Sequence, residues 1–494
     1  MKTSRIRLRY SGLIIFCSKI FSVFTGLAFT VIVTRNLSIS DFGVWQYLTL
    51  IFTYVIFPAN LIPYWATRFY ARGSEVAKTG VIGNLILSIP AFIFFIIIAF
   101  PASKVVDANM IYFYMISSQI FLNYLILSLE SLAIGRRPYL IGYGIIVFEL
   151  SKISFAILLF QFVRLGFMGA IIAVILAHLI QLIFLLHLFR GEFKNKFQWK
   201  TLKNWLHSSW LPLYSLFETF IYNLDLLILA ILTKNSEPLA LYKVAFTVAV
   251  VIRYSSTIST AIYPKLLSGG NQKDIEGILK ITYMFAIPMA VGSFILAEPI
   301  LYIFKPEYTT AAPILRMMAP WALINSLIIL SGQIIRGTET VDSEYIYMKF
   351  SFKRLLKSKL FTWPLYRYVR SGVLLILTYA FITFILNSYQ ERIYLYTAMV
   401  CFLAKFISDA GLLVFALKFS RDAMFFHIPY VSLVKYFLSA CIMGIIIWSI
   451  NPFRFIATIF TIGLGALIYF TSLFLLDVES RRLFKQIWNQ LKII

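Results

Sequence analysis

Apolar residues in this chain are grouped into long runs that are separated by short polar segments. Each run approaches or exceeds the ~20 residues that a helix needs to cross a bilayer, and none alternates as a membrane β-strand does. The pattern therefore predicts an all-α integral membrane protein with about 14 transmembrane helices. The predicted spans 1 to 14 are residues 12–34, 42–66, 80–101, 109–133, 139–162, 167–189, 209–233, 239–263, 278–304, 311–335, 372–388, 393–417, 429–450 and 455–476.

Positively charged residues set the predicted orientation. Most of the 45 lysines and arginines fall in every second connecting segment, and such residues mark the cytoplasmic side of a membrane protein. The sequence therefore predicts a multi-pass protein of the cytoplasmic (plasma) membrane with both termini in the cytoplasm. The opposite, outer loops hold only a few basic residues, which are Arg35, Lys104, Arg164, Lys234, Lys305, Arg392 and Arg454.

Composition excludes a soluble protein. Hydrophobic residues make up 60% of the chain and charged residues 13%, whereas soluble domains carry roughly 25% charged residues. The net charge of +24 is explained by inner segments that face anionic membrane lipids, because these lipids attract nearby cations. Binding of nucleic acid is therefore not expected.

Basic segments divide the chain into predicted regions. Residues 194–208 place Trp and Leu at helical spacing among lysines, which is typical of a helix lying in the membrane interface. This interfacial linker separates an N-lobe, residues 1–193, from a C-lobe, residues 209–428. The C-lobe contains a basic inner loop, residues 337–372, which is a surface connector or, alternatively, a regulatory or partner-binding segment. Spans 13 and 14 and a cytoplasmic tail occupy residues 429–494.

A weak internal repeat relates the two lobes. Thr34-Arg35-Asn36 ends span 1, and Thr233-Lys234-Asn235 ends span 7. Because the repeat recurs after six spans, both copies cross the membrane in the same direction. We therefore expect two six-helix lobes with a central cleft, plus two extra C-terminal helices.

Ionisable residues inside the spans are the candidates for a site, because a charge that faces lipid costs several kcal/mol. Glu218 and Asp225 share one face of span 7, Arg253 lies in span 8, and Lys19 lies in span 1. Lys19 and Arg253 are suited to an anionic group, and Arg binds phosphate through its bidentate fork. Glu218 and Asp225 would neutralise these cations or bind a coupling ion. The alternative is that Asp225 and Arg253 pair only to hold spans 7 and 8 together.

Further charges have structural alternatives. Arg68 ends span 2 on the inner side and Arg316 lies near the outer end of span 10; each is predicted to contact substrate or else to extend its charge to the membrane surface. Two spans carry opposite charges one helical turn apart, which favours neutralisation within the helix. These pairs are Glu149 with Lys152 and Lys405 with Asp409.

Several segments resemble the multidrug/oligosaccharidyl-lipid/polysaccharide (MOP) exporter superfamily, and within it the Wzx-type flippases that are labelled polysaccharide biosynthesis proteins. The resemblance is carried by Arg35-Asn36-Leu37 with Asp41-Phe42-Gly43, Asn223-Leu224-Asp225, Tyr263-Pro264-Lys265, residues 164–170 (RLGFMGA) and residues 303–320 (IFKPEYTTAAPILRMMAP).

The resemblance implies a MATE-like fold and a role in building polysaccharides of the cell envelope. It implies a flippase that moves a lipid-linked oligosaccharide, of the polyprenyl pyrophosphate type, across the cytoplasmic membrane by alternating access. Glycan assembly enzymes would be its protein partners. Related lipid II flippases also have fourteen spans, with basic residues in the cleft and helices 13 and 14 beside a groove for the lipid tail. The alternative function is a cation-coupled exporter of small molecules, including drugs, from the same superfamily.

Missing motifs argue against an enzyme. The chain has no G-x-x-x-x-G-K-[ST] phosphate loop, and its four histidines form no cluster with metal-ligand spacing. Neither a cofactor nor a metal site is expected, while a coupling ion, Na⁺ or H⁺, is left open. A membrane glycosyltransferase is the enzyme-class alternative, but every predicted outer loop is short.

Overall fold

The computed structural model describes residues 8–267, 270–339, 358–388, 391–450, 452–478 and 480–481. These residues form helices and turns, and no strand is present among them. Fourteen helical segments of this described part are long and apolar enough to cross a membrane. The predicted class, an all-α multi-pass membrane protein, is therefore confirmed.

Packing divides the chain into two compact units, Met1–Ala240 and Leu241–Ile494. The predicted lobes and their linker at residues 194–208 stay a prediction. The helices of the first unit are α1 (Leu8–Asn36), α2 (Ile39–Ile56), α3 (Leu61–Ala71), α4 (Ala77–Val105), α5 (Met110–Arg136), α6 (Tyr139–Ile157), α7 (Gly166–Phe189), α8 (Trp199–His207), α9 (Trp210–Tyr222) and α10 (Leu224–Thr233).

A short amphipathic helix, α8, docks on the core of the first unit. Leu202 and Trp205 are 2% and 3% exposed and join a buried cluster that includes Ile62 and Leu185. Trp199, at the start of the same helix, is 62% exposed. A helix therefore forms within the predicted linker and buries only one of its faces, while its place in the membrane interface stays a prediction.

Local chemistry interrupts several predicted spans. A 3₁₀ turn, Phe57–Asn60, separates α2 from α3, where Pro58 has no N–H to continue the α-helical bonds. Span 7 breaks at Asn223, whose Nδ2 donates to the carbonyl of Thr219 at 2.9 Å. Helix α9 therefore ends and α10 begins at a polar residue inside the span.

Span 8 is only partly α-helical. Helix α11 (Glu237–Arg253) is followed by a 3₁₀ segment, Tyr254–Ala261, and by α12 (Ile262–Leu267). In the 3₁₀ segment, the hydroxyls of Ser255 and Ser256 donate to the carbonyls three residues before them, at 2.7 and 2.6 Å. Such side-chain bonds to the backbone compete with the α-helical pattern and tighten the turn.

The rest of the second unit is a bundle of long helices. Tyr283, Tyr436 and Tyr469 lie in its main buried cluster, and the Tyr469 hydroxyl donates to the carbonyl of Met284 at 2.8 Å. The two C-terminal helices therefore pack on α13. The helices are α13 (Gln272–Ile295), α14 (Ala297–Phe304), α15 (Ala312–Gly337), α16 (Lys359–Ser388), α17 (Ile393–Ala423), α18 (Tyr430–Ile450) and α19 (Phe455–Leu476).

The predicted inner loop, residues 337–372, is partly helix. Helix α16 begins at Lys359, well before the predicted start of span 11 at residue 372. Trp363 is 5% exposed and packs with α15 and α17, so burial extends the helix beyond the apolar run. Residues 340–357 of the loop lie outside the described residues.

Hydrogen bonds to Asp477 stabilise the end of α19. Asp477 accepts hydrogen bonds from Lys435 Nζ at 3.0 Å and from the Ser480 hydroxyl at 2.5 Å. Burial acts to raise the pKa of Asp477, but the bonds from Ser480 and Lys435 outweigh it and hold the pKa below its usual range. This ion pair ties α18 to the end of α19.

Candidate functional site

A cluster of aromatic rings in the second unit holds a candidate cation. Trp321 and Phe402 meet edge to face with centroids 5.5 Å apart, and Phe246 lies 6.0 Å from Trp321. Tyr242 contacts both Phe246 and Phe402 at 6.0 Å. We call these four residues the aromatic cluster, and it is assembled from α11, α15 and α17.

Arg253 places its guanidinium on this aromatic cluster. Its Cζ lies 5.4 Å from the centroid of Trp321 and 5.9 Å from that of Phe246, distances at which a cation is attracted by the ring face. Its Nε is buried and has no hydrogen-bond acceptor in the described part of the chain. No described carboxylate of the second unit pairs with Arg253, so its charge is stabilised there by aromatic rings.

An ion pair also contacts Trp321. The indole Nε1 donates to Asp409 Oδ2 at 2.8 Å, and Arg370 Nη1 lies 3.1 Å from Asp409 Oδ1. The side chains of Arg370 and Asp409 are only 7% and 0% exposed. The sequence predicts that Asp409 neutralises Lys405 within α17; the structure adds Arg370 from α16 as an ion-pair partner.

The balance of charge around the aromatic cluster is positive. Lys405 Nζ lies 6.0 Å from the ring centroid of Tyr242, and Arg253 and Arg370 are the other cations. Asp409 supplies a carboxylate, and both of its oxygens accept hydrogen bonds. The arrangement therefore favours an anionic ligand beside Arg253, because guanidinium binds phosphate and carboxylate oxygens in a bidentate way.

The predicted acidic residues of span 7 lie in the first unit. Glu218 in α9 and Asp225 in α10 are both 0% exposed, on either side of the break at Asn223. Asp225 interacts electrostatically with the hydroxyl of Tyr54 in α2, and the Tyr54 ring packs edge to face on Phe220 at 4.8 Å. The structure thus places both carboxylates in the interior, as expected for charges within a span.

Lys19 is exposed on α1, one turn from a buried polar network. Ser22 and Thr25 donate to the carboxylate of Glu149 in α6 at 2.8 and 2.7 Å. Lys152 lies 2.7 Å from the same carboxylate, so the predicted pair within α6 forms. This network ties α1 to α6 and satisfies Glu149 with three donors.

The two remaining predicted residues have local partners. Arg68 is exposed, with its Cζ 4.2 Å from the ring centroid of Tyr64 on the same helix. Arg316 pairs with Glu298 of α14 at 2.9 Å, and both side chains are partly exposed. Their assignment to the substrate stays a prediction. Within the described residues, no group of three or more His, Cys, Asp or Glu side chains is arranged to hold a metal ion.

Sequence reasoning missed Arg370 and Trp321. Arg370 lies in the predicted inner loop, residues 337–372, and Trp321 is one of many apolar residues in predicted span 10. The indole N–H of a buried tryptophan usually donates a hydrogen bond. A tryptophan inside a predicted span therefore indicates a nearby polar acceptor, and this was the signal that the sequence offered.

The fold is shared with known transporters. The structure of the lipid II flippase MurJ in an inward closed conformation superposes with a TM-score of 0.66 at 14% identity, covering 93% of this chain and 98% of that chain. An inward-facing multidrug resistance MATE transporter of the MOP superfamily gives a TM-score of 0.59 at 13% identity, covering 81% and 95%. These likenesses confirm the predicted MATE-like fold.

Comparison by sequence gives one family match and one negative result. A family model described as "Polysaccharide biosynthesis protein" matches residues 143–313. The matched residues include helices α9, α10 and α11, and therefore Glu218, Asp225 and Arg253. No curated protein sequence matches the chain.

Proposed function

We propose that this protein is a flippase that moves a lipid-linked oligosaccharide, of the polyprenyl pyrophosphate type, across the cytoplasmic membrane. The observation that carries this proposal is the environment of Arg253. This cation lies within a predicted span, and aromatic rings of the second unit lie beside it. Arg253 is partly buried, and a cation within a membrane span is costly unless a counter-charge meets it. A pyrophosphate supplies that counter-charge and satisfies the donors of the guanidinium.

The aromatic cluster explains why an arginine suits this position. Trp321 and Phe246 attract the cation with their faces and leave its N–H groups to a ligand. Asp409 is engaged by Arg370 and Trp321. Transport by alternating access would present Arg253 first to the cytoplasm and then to the outer side. Lys19, Arg68 and Arg316 would supply further contacts with the anionic lipid.

The charge of the substrate suits export without ATP. Moving one negative charge outward across an inside-negative membrane is favourable by about 2.3 kcal/mol per 100 mV. Neither an enzymatic step nor a bound cofactor is part of the proposal. Glu218 and Asp225 would compensate the cations of the empty site or bind a coupling ion, Na⁺ or H⁺.

A leaflet assay in proteoliposomes tests the function. The probe is a short-chain polyprenyl pyrophosphate that carries one sugar, and a membrane-impermeant reagent reports how much of it reaches the opposite leaflet. Arg253→Ala should reduce the protein-dependent rate at least about tenfold, the loss expected for one charge-assisted contact. Arg253→Lys should recover only part of the rate, because ammonium lacks the bidentate fork.

The matched control is Arg421→Ala. Arg421 is a cation of the same unit that lies over the ring of Phe426 at 6.0 Å, away from the aromatic cluster, and its loss should leave the rate unchanged. A rate in Arg253→Ala equal to that of the wild type, with the protein folded and inserted, would refute the role of Arg253. An absence of probe movement in the wild type would refute the flippase.

The second candidate is a cation-coupled exporter of small molecules. It is supported by the complete burial of Glu218 and Asp225, since buried carboxylates attract cations. In the same proteoliposomes it predicts extrusion of cationic dyes, and a larger loss for Asp225→Asn than for Arg253→Ala. The opposite order of losses would exclude it.

A further inference from the structure

A polar cavity of about 430 Å³ lies within the first unit, at one end of its helices. Its volume falls within the ~300–1,000 Å³ of pockets that bind small molecules. Three segments form its wall: the start of α2, the turn between α4 and α5, and the turn between α10 and α11. With the N-terminus in the cytoplasm, as the distribution of lysine and arginine predicts, this cavity opens on the outer side.

Two of these segments, the start of α2 and the turn between α10 and α11, are fixed against each other. The Ser236 hydroxyl donates to the carbonyl of Ser40 at 2.9 Å, and the two hydroxyls lie 3.2 Å apart. A Cβ at Gly43 would overlap the backbone carbonyl of Ser236, so only glycine permits this approach. The start of α2 and the turn that ends span 7, which contains Lys234 and Asn235 of the internal repeat, therefore form one continuous wall of the cavity.

The charges in the cavity are of both signs and face a shared space. Asp41 and Asp107 bring two carboxylates and Lys234 brings an ammonium group. Asp107 and Lys234 form no ion pair with another described residue, and both are exposed. Both also adopt a left-handed backbone, with φ of 47°, a conformation that costs free energy in residues other than glycine.

Helix caps orient the amide groups of the cavity. Asn109 Oδ1 accepts from the backbone N–H of Ile111 at 2.9 Å, and Asn235 Oδ1 accepts from that of Glu237 at 2.8 Å. Since each side-chain oxygen serves a cap, the Nδ2 groups are the donors that each asparagine offers to a ligand. The ring of Tyr112, held against Phe167 with centroids 4.3 Å apart, adds an apolar surface and a hydroxyl.

This combination selects against ions. The ammonium group of Lys234 repels a metal cation, which would also need about six to eight oxygen ligands. The carboxylates of Asp41 and Asp107 repel a phosphate or other anion. A neutral ligand with many hydroxyls suits both the carboxylates and the ammonium group, because each hydroxyl can donate to a carboxylate and accept from an ammonium or amide group.

We propose that this cavity, defined by Asp41, Asp107, Asn109, Lys234 and Asn235, is a binding site for a neutral saccharide on the outer side of the membrane. The proposal rests on the proposed function, and it assigns the sugar moiety of the transported lipid its own contact with the protein. The cavity would hold that moiety after it leaves the inner leaflet, while Arg253 serves the anionic group.

Binding of free saccharides to the purified full-length protein tests the site without transport. The probes are four neutral disaccharides: maltose, lactose, cellobiose and chitobiose. Saturation-transfer NMR measures their binding to the protein in nanodiscs. We expect saturable binding of at least one of them. The double variant Asp107→Asn with Lys234→Asn should weaken it at least about tenfold, because asparagine tolerates the left-handed backbone but removes both charges.

Three further measurements sharpen the outcome. Arg164→Asn, a matched change at a left-handed turn outside the cavity wall (φ 57°), should leave binding unchanged. Ala108→Phe should fill the cavity and abolish binding. Arg421→Ala, the control variant of the flippase assay, should bind saccharide like the wild type. A wild-type protein that binds saccharide but does not move the lipid probe would reject the proposed function and keep this site.

Three results would overturn the proposal. One is the absence of saturable binding by all four disaccharides. Another is binding that survives both the double variant and Ala108→Phe. The third is binding of Ca²⁺ or inorganic pyrophosphate that depends on Asp107 and Lys234 in place of saccharide binding, which would show an ion site instead of a neutral one.

Discussion

At the scale of single residues, the second unit stabilises two arginines within its helices in two different ways. Arg370 and Asp409 satisfy each other, and Trp321 adds a donor to the same carboxylate. Arg253 instead lies on aromatic faces. A paired charge is fixed in place, whereas a charge supported by rings keeps its donors for a ligand. This contrast separates the structural arginine from the candidate binding arginine.

The ion pair between Arg370 and Asp409 should be needed for stability. Asp409→Asn leaves Arg370 without its counter-charge in a buried position, a loss of roughly 3–5 kcal/mol. We expect a lower melting temperature of the purified protein in detergent. The double variant Arg370→Met with Asp409→Leu removes both charges and should be more stable than Asp409→Asn alone. A melting temperature of Asp409→Asn equal to the wild-type value would contradict this role.

At the scale of elements, two spans depart from a continuous α-helix beside candidate residues. Span 7 breaks at Asn223, between Glu218 and Asp225, and span 8 changes to a 3₁₀ helix directly after Arg253. Serine hydroxyls and an asparagine amide satisfy the backbone at these points. Broken helices within a membrane are tolerated where the freed backbone groups find such partners.

Helix α8 allows a comparison of two tryptophans on one element. Trp205 is 3% exposed in the core of the first unit and Trp199 is 62% exposed. Trp205→Ala should destabilise the protein by about 3–5 kcal/mol, the cost of truncating a buried aromatic side chain. Trp199→Ala should leave the melting temperature in detergent nearly unchanged. Equal melting temperatures for the two variants would show that α8 does not dock through Trp205.

At the scale of the whole molecule, the predicted orientation connects the two proposals. Entry of the anionic group from the cytoplasm and a saccharide cavity on the outer side both require the N-terminus inside. The distribution of lysine and arginine favours this orientation. The likeness in fold to known transporters supports the overall architecture.

Cysteine accessibility tests this orientation. With Cys17 and Cys441 replaced by serine, Arg164→Cys should react with a membrane-impermeant maleimide in intact spheroplasts, and Lys200→Cys only after lysis. Both positions are exposed at turns or helix ends, and Cys401 is buried. The reverse pattern of labelling would invert the molecule and move the cavity to the cytoplasmic side.

Much of the fold was predictable from the sequence, for a physical reason. Inside a bilayer every backbone group must be bonded within its own helix, so an apolar run of sufficient length already defines a span. All fourteen predicted spans overlap with long apolar helices of the structure. The pair of Glu149 and Lys152 was predictable in the same way, because residues three apart on a helix are neighbours.

The sequence by itself thus determined the class of protein, the number of spans and the charged residues worth attention, since periodicity and hydropathy are local properties. Only the tertiary structure decided which partners those charges meet. Arg370 reaches Asp409 from another helix, Trp321 stands beside Arg253, and the turn at Ser236 closes on Gly43. These contacts join residues far apart in the chain, and packing of helices, which no local pattern encodes, brings them together.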